Sequence, residues 1–151
     1  MKLNFQYNDG GRKAAGYKGM TGDCVSRAVA IATGIPYAVV FETLSAGCVD
    51  QRKTKRSKVM KDASKGVYTN RKWFQDYMDR QGWEWVATMG IGTGCKVHLA
   101  ANEIPMVGNI IARVSKHYVA VINGVMNDVS DCSRNGTRCV YGYWKRKVLT
   151  A

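Results

Sequence analysis

The chain has 151 residues with 46% apolar content, 16 Gly and 2 Pro, which suits one ordered domain with a buried core and excludes a disordered chain. No apolar run approaches the ~20 residues of a membrane helix, and the first ten residues have no apolar core of an export signal, so a cytoplasmic protein with no membrane partner is expected. A net charge of +12 asks for an anionic partner, such as nucleic acid or an acidic protein, unless the charge sits in one solvated segment.

Leu3, Phe5 and Tyr7 alternate as a short strand that Gly10-Gly11 ends. A helix is predicted over about Cys24–Thr33, because Val25, Ala28, Val29 and Ala32 have helical spacing and Gly34 stops it. Asp23 or Thr21 is the expected cap. A second helix covers about Tyr37–Leu44, with Val40, Phe41 and Leu44 on one side. From about residue 46 to 70 the composition turns basic, and Arg52, Lys53, Lys55, Arg56 and Lys58 head a candidate anion-binding loop or lid. A third helix over about Asn70–Gln81 carries Trp73, Phe74, Tyr77 and Met78 at core spacing.

The remainder reads as strands: Trp83–Ala87, Asn109–Val114, His117–Ile122, Val125–Val129 and Cys139–Trp144. Asn123-Gly124 is a strong hairpin turn signal. Helices first and an antiparallel sheet second make the fold class α+β, as a single domain over residues 1–151.

The five cysteines are odd in number and scattered, so a disulfide framework is not expected and Cys132 and Cys139 read as free thiols. Cys95-x-x-His98 has zinc-ligand spacing, but the gap of six residues between Cys132 and Cys139 does not, so neither metal nor cofactor is expected. Trp83, Trp85 and Tyr143 are candidate stacking faces for nucleic acid, although they are not interleaved with the basic run.

Cys24 opens a helix, where the backbone dipole favours a thiolate. A thiol nucleophile needs a base and a group to orient the base. With Asn123-Gly124 as a two-residue turn, Val119 faces Asp128 and His117 faces Ser130. His117 and Asp128 then share one face as diagonal neighbours, while Asn127 and Asp131 point to the other. Cys24, His117 and Asp128 are therefore the candidate nucleophile, base and orienting acid.

Gly22-Asp23-Cys24-Val25 leading into a helix, together with His117-Tyr118-Val119-Ala120-Val121, Gly124 and Asp128, resembles the papain-like cysteine peptidase superfamily. The similarity is greatest to the bacteriocin-processing type and to small phage and bacterial proteins like it. Pro105-x-x-Gly108-x-Ile110 ahead of the His strand is also similar to that group. The resemblance implies a papain-like fold in a bacterial or phage-infected cell, with a peptide or protein substrate that the charge would suit being acidic. The activity implied is cleavage of a peptide, isopeptide or related amide bond through a thioester. The sequence departs from the family at Lys18, where a Gln normally completes the oxyanion hole. Lys18 and Thr21, with the Cys24 backbone N–H, are the candidate donors in its place. The alternative is a non-catalytic papain-like protein that binds nucleic acid or an acidic host protein through its basic surface.

Overall fold

A computed structural model describes residues 1–18, 22–55 and 60–148. The elements in chain order are β1 (Asn4–Tyr7), α1 (Cys24–Thr33), α2 (Tyr37–Asp50), α3 (Lys72–Arg80) and β2 (Trp83–Ala87), then β3 (Asn109–Val114), β4 (His117–Ile122), β5 (Val125–Asp128) and β6 (Gly142–Arg146). The architecture is α+β: these strands form one sheet in the order β1-β5-β4-β3-β6-β2. Only the β1–β5 pairing is parallel.

Helix α1 has the bounds that its periodicity predicts, and Val25, Ala28, Val29 and Ala32 are buried. The expected cap is different. Asp23 precedes the helix but makes no side-chain cap hydrogen bond. Its carboxylate is only 1% exposed and is taken by Arg12, Arg27 and Tyr37. A buried charge needs paired partners more than a helix end needs a cap. Thr21, the other expected cap, lies outside the described residues.

Helix α2 continues to Asp50 and so takes up the first residues of the stretch expected as a loop. The continuation depends on packing that helix propensity does not reveal. Gly47 lies against the Trp73 ring of α3, and a Cβ there would fall 2.4 Å from Cζ3. Beyond the helix, the described residues up to 71 have no regular structure, and the N–H of buried Ala63 donates to Ser45 Oγ at 2.9 Å.

Strands β4 and β5 pair as Ile122↔Val125, Val121↔Met126 and Ala120↔Asn127, the register set by the two-residue turn. Asn123 and Gly124 both have positive φ, 47° and 77°, as a type I′ turn requires. Alternation along β4 divides the core in two. Tyr118 and Ala120 enter the cluster under the helices, while Val119 and Val121 join Leu3, Leu99, Ile110 and Val140 on the other side.

Strand β6 begins at Gly142, three residues later than expected, because Cys139 forms an isolated bridge with His98. Leu99 N–H donates to Arg138 O and Val140 N–H to Val97 O, each at 2.8 Å. This antiparallel contact brings Cys95 and Cys139 to a Cα separation of 5.9 Å, and the two are disulfide-bonded. Cys139 is therefore not the free thiol expected from sequence. Cys24, Cys48 and Cys132 are free. Among the described residues no helix is long and apolar enough to cross a membrane.

Candidate active site

Three elements meet at one end of the sheet: the start of α1, the start of β4 and the end of β5. Cys24 is the first residue of α1, His117 the first of β4 and Asp128 the last of β5. His117 Nε2 donates to Asp128 Oδ2 at 2.6 Å, and Cys24 lines the same cleft as His117, which lowers the Cys24 thiol. The three residues selected by the sequence are thus brought to one end of the sheet, two of them in direct contact.

The electrostatics of the three groups are coupled. Burial raises the Cys24 thiol, but the hydrogen bond and charge of His117, the Tyr118 backbone N–H and the charge of Arg27 outweigh it and leave the thiol below its ordinary value. Burial alone would lower His117, yet hydrogen bonds to Asp128, Cys132 and Cys24 raise it far above an ordinary imidazole. Asp128 is raised by burial and lowered more strongly by His117, with a net fall. The groups favour a thiolate beside an imidazolium.

Behind them lies a buried ionic layer that the sequence reading did not identify. Arg27 reaches Asp23 through Nη1 and Asp128 through Nη2, the latter at 3.5 Å. Tyr37 Oη donates to Asp23 at 2.5 Å, and Arg12 Nε lies 3.1 Å from the same carboxylate. The available signal was Arg27 on the apolar face of α1, four residues after Asp23. Asp128 is also fixed by its own Oδ1, which accepts the Val129 N–H at 2.7 Å. Its backbone O accepts the Asn8 N–H at 2.9 Å where β1 runs alongside.

Cys132 is the second residue that was missed. It packs with the far core, and its sulfur lies within 4.8 Å of a ring nitrogen of His117. His117, Asp128 and Cys132 each bring one ligand atom within 4.8 Å of the others, a donor set that could hold a zinc-like ion. The zinc spacing considered from sequence is not assembled, because Cys95 is bonded to Cys139 and His98 Nδ1 lies 3.0 Å from Glu103.

Cys24 and His117 face a cleft of about 490 Å³. Gly22 lines it just ahead of α1, Cys24 and Val25 from α1, His117 and Tyr118 from β4, and Lys65, Gly66, Val67 and Thr69 from the end of the basic stretch. Lys18 is exposed and is not among the lining residues; its carbonyl accepts from Arg12 Nη2 at 3.0 Å. Arg52, Lys53 and Lys55 are exposed and away from the cleft lining. Thr21, Arg56 and Lys58 lie outside the described residues. Of the proposed stacking faces, Trp83 is buried with Arg146 over its ring at 4.9 Å, so it is not available to a base.

In comparison with known proteins, no family model, no curated protein and no solved structure matches the chain.

Proposed function

We propose that the protein is a papain-like cysteine hydrolase that cleaves a peptide, isopeptide or related amide bond. The observation that carries this reading is that Cys24 and His117 line one cleft while His117 is hydrogen-bonded to Asp128 behind it. The thiolate attacks the carbonyl carbon, and His117 gives its proton to the leaving amine nitrogen as the C–N bond breaks. Because Nε2–H is held by Asp128, the proton exchanged in the reaction is carried on Nδ1. The thioester is then hydrolysed by water that His117 deprotonates, and an amine in place of that water gives acyl transfer. Asp23 leaves the first N–H groups of α1 uncapped by its side chain, so the Cys24 N–H is a donor for the oxyanion in place of the Gln that Lys18 replaces.

Iodoacetamide labelling followed by peptide mapping tests the thiolate. Cys24 should react about 100-fold faster than Cys48 or Cys132, and Cys24→Ala should remove all turnover. Equal, slow labelling of the three free thiols would overturn the proposal. The second reading, a non-catalytic binder, is favoured by the exposed Arg52, Lys53 and Lys55. It requires salt-sensitive retention on heparin or DNA together with full biological effect in Cys24→Ala.

A further inference from the structure

The cleft beside Cys24 contains Arg27, Lys65, Arg113 and Lys116, and no Asp or Glu lines it. Two of these cations have local partners: Arg27 is bound to Asp23 and Asp128, and Lys65 lies in the field of Asp62. The other two do not. Every Asp and Glu of the chain is among the described residues, and none forms an ion pair with Arg113 or Lys116. Arg113 is also only partly exposed. A cation on a partly buried residue with no acidic partner gains from a carboxylate delivered to it.

The sheet places that guanidinium on the nucleophile's side. Arg113 is the register partner of Tyr118, one residue from the Val114↔His117 pair. Opposite residues share a face, so Arg113 projects with Tyr118 towards the helices, where Cys24 packs. Its charge acts on the Tyr118 hydroxyl, and Tyr118 and Arg113 both line the cleft with Cys24. Lys116 follows in the β3–β4 turn, at a φ of 56° that directs the chain back into β4. Arg113 and Lys116 thus stand at the cleft rim next to the reacting atoms.

We infer that the substrate carries a carboxylate adjoining the scissile bond, and that Arg113, assisted by Lys116, holds it. The inference rests on the cysteine-hydrolase reading and names its substrate class: an acidic peptide segment or one ending in a free carboxylate. Arg113 and Lys116 act on specificity and take no part in proton transfer.

Thiol-directed probes separate the two claims. N-iodoacetyl-glycine presents a terminal carboxylate, and N-iodoacetyl-aspartic acid α-amide a side-chain one. N-iodoacetyl-glycinamide and N-iodoacetyl-asparagine amide are the matched neutral probes. The neutral rate at Cys24 relative to Cys48 reads the activated thiol, and the anionic-to-neutral ratio at Cys24 reads the carboxylate site. In the intact protein one anionic probe should exceed its neutral partner about tenfold, falling as salt is raised. The pair that shows the preference identifies which carboxylate is recognised. Arg113→Gln should bring the ratio close to one and Arg113→Lys should keep most of it, while Lys116→Asn, which suits the positive φ, should reduce it by a smaller factor. Fast neutral labelling with ratios near one for both pairs, or ratios unchanged in Arg113→Gln, would overturn the inference and leave the hydrolase reading standing. Slow neutral labelling would instead remove the reading on which it rests.

Discussion

Two thiols on neighbouring helices are driven in opposite directions. Cys24 opens α1 and is held below the ordinary thiol value, whereas Cys48, near the end of α2, is pushed up to about 11. Burial raises both. At Cys48 nothing opposes it, and the charge of Asp62 adds to it. At Cys24 the effects of His117, the Tyr118 backbone N–H and the Arg27 charge outweigh it. The difference shows that groups from a distant strand and from the helix itself can reverse the effect of burial on a thiol.

Removing His117 should break the contrast most severely. His117→Ala should lower turnover by about three orders of magnitude and move the pH midpoint of Cys24 alkylation up towards that of Cys48. A midpoint that stayed low would transfer the activation to Arg27 and the helix end. Arg27→Met tests the layer behind the site, since it leaves Asp23 and Asp128 without their shared cation. The expected loss of stability is about 3 kcal/mol in urea unfolding, because breaking one side of a buried ionic group strands the other.

The pH profile of the unmodified protein sharpens the comparison further. Alkylation of Cys24 should rise with pH through a midpoint below 9.0, the ordinary thiol value, and then stay level. Turnover should rise with it but fall again in the alkaline range, because His117 must keep its proton to release the amine and its pKa is raised. A turnover curve that plateaued like the alkylation curve would exclude His117 as the acid. The smallest effect is expected at the other thiol. Cys48→Ala should leave the Cys24 labelling rate within about twofold and cost about 1 kcal/mol of stability, as the loss of a small buried side chain does.

What could be read from the sequence follows how local its cause is. The β4–β5 register was legible because Asn123-Gly124 fixes it within two residues, and α1 was legible because an apolar face and a terminal Gly34 mark it. The end of α2 was hidden, since its last turns depend on Trp73 packing over Gly47 from another helix. Asp23 read as a cap because its real partners include Arg12 and Tyr37, which approach only after folding. The Cys95–Cys139 pairing spans 44 residues and leaves no trace in local pattern. At the candidate site, the contact between His117 and Asp128 follows from strand register. The reach of Cys24, Cys132 and Arg113 towards that pair depends on how helix, loop and sheet are layered.

The parallel pairing of β1 with β5 also governs the order in which the site can be built. Tyr7 is the register partner of Asp128, and the next residue, Asn8, donates its N–H to the Asp128 carbonyl. The strand that steadies the orienting acid is therefore made first, and its partner more than a hundred residues later. During synthesis Cys24, its helix and the basic stretch all emerge before His117 and Asp128. A nascent or truncated chain that stops short of β5 carries Cys24 without its activating arrangement. The long-range closure of the sheet thus makes the surroundings of Cys24 complete only when β5 is in place.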